Sequence, residues 1–152
     1  MKPFFVLLCS MSMNKQLAFA LVLLLMACNS NERNNAAEPE NEMDAARIFI
    51  RAALDGDYAK ARTLLVTDSL NLQDIDASER LYKERMSKEE KDKYRGASIH
   101  IHESRKVDDS TSVVYYSNTY RNQKDSLKVV KLDGKWLIDF KYIFKHKPDS
   151  LQ

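Results

Sequence analysis

The stretch LKVVKLDGKWLIDF, Leu127 to Phe140, decides the fold. Asp133-Gly134 at its centre is a dipeptide that accepts the left-handed backbone of a two-residue hairpin turn. That turn sets a register in which Lys131 faces Trp136, Val129 faces Ile138 and Leu127 faces Phe140. Residues two apart in a strand point the same way, so Leu127, Val129, Trp136, Ile138 and Phe140 share one apolar face. The same period of two predicts strands at 98–106 and 111–120, with the hairpin strands at 126–132 and 135–144. Two-residue turns at Asp108-Asp109 and Asn122-Gln123 would extend the register across four strands. One row then reads Ile101, Tyr116, Val129, Ile138, on a face that also carries Ile99 and Val114. The row on the other face reads His102, Tyr115, Val130, Leu137, and Lys128 lies opposite Asp139.

Upstream the period changes to that of a helix. Met43, Ala46, Phe49, Ile50, Ala53 and Leu54 follow helical spacing behind a capping Asn41, and Asp55-Gly56 stops the run. Asp57 caps a second helix from Tyr58 to about Val66, with Tyr58, Ala61, Leu64 and Leu65 inward. Asp76-Ala77-Ser78-Glu79 reads as a capping box opening a charged helix with Leu81, Tyr82 and Met86. Ser87-Lys88-Glu89-Glu90 is a second box, and Gly96 ends the helical part. The mixed charges from Lys83 to Lys93 read as a solvated face. The fold class is α+β, with N-terminal helices packed on a curved four-stranded antiparallel sheet in a cone-like arrangement.

The first 27 residues form a separate segment. Leu17 to Ala27 is uncharged and follows Lys15, the pattern of a secretion signal and too short for a membrane-spanning helix. It ends Leu25-Met26-Ala27-Cys28, which resembles the lipobox of bacterial lipoproteins. The resemblance implies diacylglycerol on the Cys28 thiol and cleavage before it. Met13 opens a leader of ordinary length, so translation is expected to start there rather than at Met1. Residues 28–40 then read as a polar tether, 41–146 as the α+β domain and 147–152 as a polar tail. Loss of Lys2 and Lys15 with the leader takes the 24 basic residues to 22, equal to the 22 acidic ones. A neutral surface argues against nucleic acid as a partner, because phosphate binding rests on an excess of Lys and Arg. Cys9 and Cys28 are the two cysteines, so the domain has no disulfide, thiolate metal site or cysteine nucleophile.

Helical hairpin, further helix and four-stranded meander, with FIRAALDGDYAKARTLL (49–65) and LKVVKLDGKWLIDF (127–140), together resemble the nuclear-transport-factor-like (cystatin-like superfamily) domains of small lipoproteins. The resemblance implies a pocket between sheet and helices. It also implies a lipid-anchored protein of the cell envelope, outer membrane rather than inner because Asn29, not Asp, follows the lipidated Cys. Enzymes of that superfamily place an Asp, a His–Asp pair or a Tyr–Asp pair in the cone, whereas the inward residues read here are almost all apolar. The inward polar groups are Tyr116, Asn118 and Glu103, with Tyr82 from the helices. Tyr116 and Glu103 would be the acid–base pair of an isomerase or dehydratase. Tyr116 as core packing and a solvated Glu103 are the simpler reading. His100 and His102 share a face but lack a third ligand, so no metal and no cofactor are expected. Val113, Tyr115, Val130 and Leu137, with Leu132, form an apolar outer stripe, either covered or an interface for an envelope protein or a second copy. The expected function is a membrane-anchored, non-catalytic binding module, for a small apolar ligand in the cone or an envelope protein on the sheet. The isomerase or dehydratase and a purely structural envelope component are the alternatives.

Overall fold

A computed structural model describes residues 38–145, with side chains to residue 143. The expected leader, Cys28, the tether up to residue 37 and the polar tail lie outside the described residues. Helix α1 (Glu42–Asp55) starts where Asn41 accepts the amide of Asp44, and Gly56 ends it at φ 76°. Gly56 and Asp57 donate their amides back to the carbonyls of Ala53 and Ala52, closing the last turn as a left-handed cap does. Asp57 caps the short α2 (Tyr58–Thr63). Helix α4 (Lys88–Arg95) carries the full capping box, with Ser87 and Glu90 each satisfying the other's backbone amide.

Helix α3 (Ser69–Arg85) differs from the sequence reading. It begins seven residues before the expected Asp76, because Asp68 accepts the amides of Leu70 and Asn71 and so supplies the cap. Asp76 and Glu79 lie inside the helix and both accept from the Arg62 guanidinium, tying α3 to α2.

The four antiparallel strands run in sequence order, β1 (Ile99–Lys106), β2 (Thr111–Asn118), β3 (Lys124–Leu132) and β4 (Lys135–Asp139), and the sheet is not closed. Asp133 (φ 50°) and Gly134 (φ 81°) both adopt the left-handed backbone, as a type I′ hairpin requires. Val129 faces Ile138 and Lys128 faces Asp139, as the turn dictates. Where a fourth strand was expected to run on to residue 144, a short helix α5 (Lys141–Lys145) follows β4 instead.

Leu54, Ile75, Val114, Leu127, Val129 and Ile138 form the driest part of the core, between α1, α3 and one face of the sheet. The outer edge of β4 is not bare. Val66 donates to the Ile138 carbonyl at 3.0 Å and Ile138 donates to the Leu64 carbonyl at 2.7 Å. This short parallel bridge blunts an edge that would otherwise template another strand.

Gly134 has nothing within 4 Å of where a Cβ would sit. Gly134→Ala is therefore expected to cost only the left-handed backbone preference, about 1–2 kcal/mol. Urea denaturation measures it, and a loss above about 3 kcal/mol would show that the hairpin does more than turn the chain.

Candidate binding site

Two departures from the expected register place the polar groups. The first is in β1. Ile101 pairs with Tyr116 as expected, but a bulge follows and Glu103, not His102, faces Tyr115. One extra residue in a strand reverses which side the next side chain takes. Glu103 therefore lies on the outer face, ion-paired to Arg105 at 3.3 Å, and is not an inward group. The Arg105 guanidinium lies 5.2 Å from the centre of the Tyr115 ring. Ser104 takes the inward position and donates to Glu42 at 3.2 Å.

The second departure is the turn after β2. Asn118 accepts the amides of Tyr120 (3.1 Å) and Arg121 (3.0 Å), and Asn122 stands at φ 50°. The turn closes around Tyr120-Arg121 rather than Asn122-Gln123, so Tyr116 faces Asp125 instead of Val129. The slip is an even number of residues, so the two faces keep their identity. Asn118 is thus a turn-forming residue rather than a free pocket group.

At this end of the sheet five tyrosines converge. Tyr58 opens α2, Tyr82 lies in α3, Tyr94 is near the end of α4, Tyr116 is in β2 and Tyr120 is in the turn after it. Ring centres are 5.8 Å apart for Tyr58–Tyr82, 6.0 Å for Tyr82–Tyr94 and 5.1 Å for Tyr94–Tyr120. These spacings suit tilted and edge-to-face aromatic pairs. The Lys91 ammonium lies 5.4 Å from the Tyr82 ring centre. The Tyr116 hydroxyl donates to Asp125 at 3.5 Å, a long and weak hydrogen bond.

Exposure is graded along the chain of rings: Tyr58 and Tyr116 are buried, Tyr94 is half-buried and Tyr120 is 37 % exposed. Burial is the main cause that pushes the hydroxyls of Tyr58, Tyr94 and Tyr116 above the ordinary phenol value, and for Tyr116 the Asp125 carboxylate adds to it. All three stay protonated at neutral pH, and Tyr116 is the one seen donating, to Asp125.

The sequence reading names Tyr82 and Tyr116 and misses Tyr58, Tyr94, Tyr120 and Asp125 as members of one group. The Asn118 turn is the available signal, since Asn side chains hydrogen-bond backbone two or three residues on.

On the outer face Val113 is 7 % exposed, and Tyr115, Val130 and Leu137 are half-buried. His102 meets Ser117 at 2.9 Å. Among the described residues no three His, Cys, Asp or Glu side chains are grouped so as to hold a metal ion, and no helix is long and apolar enough to cross a membrane.

A polar cluster joins α3 to β4. The buried Asn71 side chain donates to the Val66 carbonyl (3.0 Å), Asp68 (3.0 Å) and Asp139 (3.5 Å), and accepts the Lys141 amide (2.8 Å). The Lys141 ammonium bridges Asp68 and Asp139, and Lys128 reaches Asp139 at 3.3 Å. The Lys141 ammonium, then the Asn71 amide, holds the Asp68 carboxyl below its ordinary value of 3.8.

A carboxyl depressed in the folded state contributes stability above its unfolded value and loses it as pH falls through the folded value. The melting temperature is therefore expected to fall as pH drops below about 3.8. Asp68→Asn should flatten part of that decline, and a variant that tracks the parent down the whole acid limb would refute the assignment.

No family model matches the chain. No curated protein matches it either.

Proposed function

We propose that this chain is a lipid-anchored, extracytoplasmic binding module of the nuclear-transport-factor-like kind, without chemistry of its own, which holds a small apolar ligand against the tyrosine cluster. The lipobox-like ending at Cys28 supports the anchor, and the cell envelope as the place of work follows from it. The observation that carries the binding reading is the ladder of rings from buried Tyr58 to exposed Tyr120. It offers aromatic surface and protonated phenols, and aromatic side chains with one polar atom suit mainly apolar ligands that need a single oriented hydrogen bond. Use of the outer stripe by an envelope protein or a second copy is less favoured, because Val113 at its centre is already buried.

Native mass spectrometry of the protein purified from membranes tests this. It is expected to show acyl mass on Cys28 and a retained small molecule. Tyr120→Ala should weaken retention about tenfold, equivalent to about 1.4 kcal/mol, while leaving the unfolding midpoint nearly unchanged. An empty protein that no apolar aromatic compound stabilises would sink the reading.

The isomerase or dehydratase is the second reading, and the Tyr116–Asp125 pair favours it, with Asp125 in the role first read for Glu103. Asp125→Asn would then remove turnover of a carbonyl or hydroxy substrate that the parent protein processes.

A further inference from the structure

The two ends of the sheet differ in character, and the chain enters the domain at one of them. The β1–β2 and β3–β4 turns lie together, since the Lys131 amide donates to the Ser110 carbonyl at 2.6 Å. The start of α1 is at the same end, because Glu42 meets Ser104 near the end of β1. Glu38, the first described residue, pairs with Lys135 beside the Asp133-Gly134 turn at 2.8 Å. Three large apolar side chains are bare here: Met43 (42 %), Val107 (64 %) and Leu132 (45 %). The tyrosine cluster is at the opposite end, where Lys124 begins β3.

We infer that the turn end of the domain rests on the lipid surface, with Val107, Leu132 and Met43 touching the headgroup layer and the tyrosine end directed away. The inference rests on the proposed acylation of Cys28. Nine residues, 29–37, separate Cys28 from Glu38, so the link is ten residue steps long. A chain of that length reaches at most about 35 Å. The strand from Lys124 to Leu132 is about 27 Å long at 3.4 Å per residue. With the turn end down the link from Cys28 need cover little of that reach. With the tyrosine end down it must also cover the length of the sheet, most of that reach, which costs chain entropy.

Lys106, Lys131 and Lys135 at this end are outnumbered by Asp108, Asp109 and Asp133 together with Glu38, Glu40, Glu42 and Asp44, so the end is net acidic and gains no attraction from anionic headgroups. The contact is thus apolar rather than electrostatic. It needs no anionic lipid and resists salt.

The inferred mature chain contains no cysteine besides the acylated one, so introduced thiols label uniquely. Val107→Cys, Leu132→Cys, Lys124→Cys and Leu81→Cys, all exposed positions, would each be spin-labelled in the lipidated protein and reconstituted in phosphatidylcholine vesicles. Labels at 107 and 132 are expected to be several-fold less accessible to a water-soluble nickel complex, and more accessible to oxygen, than labels at 124 and 81. Equal accessibility at all four positions, with acyl mass present on Cys28, overturns the orientation and leaves the anchor standing. An unmodified Cys28 in the mass spectrum overturns both.

Discussion

Asn71→Leu is expected to destabilise the domain by about 3 kcal/mol, the larger part of it from stranded polar groups rather than from poorer packing. Leucine fills nearly the same space, so no large cavity opens. What disappears is one carboxamide that serves the Val66 carbonyl, the Asp68 and Asp139 carboxylates and the Lys141 amide at once. The carboxylates keep Lys141, and Asp139 also keeps Lys128. The Lys141 amide loses the acceptor it has in Asn71 and the Val66 carbonyl loses one of its donors, each costing about 1–3 kcal/mol where water cannot enter. At about 4 °C per kcal/mol for a domain of this size, the melting temperature should fall by about 12 °C. Asn71→Asp should be worse near neutral pH, because it sets a third carboxylate beside Asp68 and Asp139, and it should recover as acid neutralises the new group. A leucine variant within 1 kcal/mol of the parent would mean that the cluster is solvated and not a staple.

Asn71 also shows where the sequence stops being legible. Of the 17 residues of α3 only Asn71, Ile75 and Tyr82 are buried, while Leu70, Leu72 and Leu81 are exposed. Helical periodicity has little to work on there, and the first apparent capping box, at Asp76, passes for the start. The sheet is easier. Asp133-Gly134 admits one turn geometry, and all five pairs in β3–β4 follow from counting outward from it. Turns without such a dipeptide leave register open. The Asn118 turn moves β3 by an even number, which spares the faces but hides the Tyr116–Asp125 pair. The bulge at Ile101/Glu103 moves β1 by one and turns Glu103 outward. A bulge leaves no mark in a strand as polar as HIHESRK, because neither face is apolar enough to show the reversal. The tyrosine cluster draws on five separate elements, so it is visible only once those elements are placed.

Gly56→Ala should act on that cluster directly, by about 3 kcal/mol in total. Two costs combine. At φ 76° an alanine occupies the left-handed region, at about 1–2 kcal/mol. In addition, its Cβ would lie 2.5 Å from Cε1, 2.6 Å from Cζ and 2.7 Å from the hydroxyl oxygen of Tyr82. Carbon atoms do not approach so closely, so the ring must shift, disturbing its packing on Tyr58 and Tyr94. The two costs separate in a double-mutant cycle. Tyr82→Ala removes the obstructing ring, so Gly56→Ala made in that background should cost only the backbone share. The steric share appears as a coupling of about 1–2 kcal/mol. Near-ultraviolet circular dichroism should report the loosened rings in the single Gly56→Ala variant. Additive losses, with the aromatic signal intact, would show that Tyr82 does not depend on the missing side chain of Gly56. The comparison with Gly134→Ala sharpens the test: both glycines have left-handed backbones, and only Gly56 has a ring where its side chain would be.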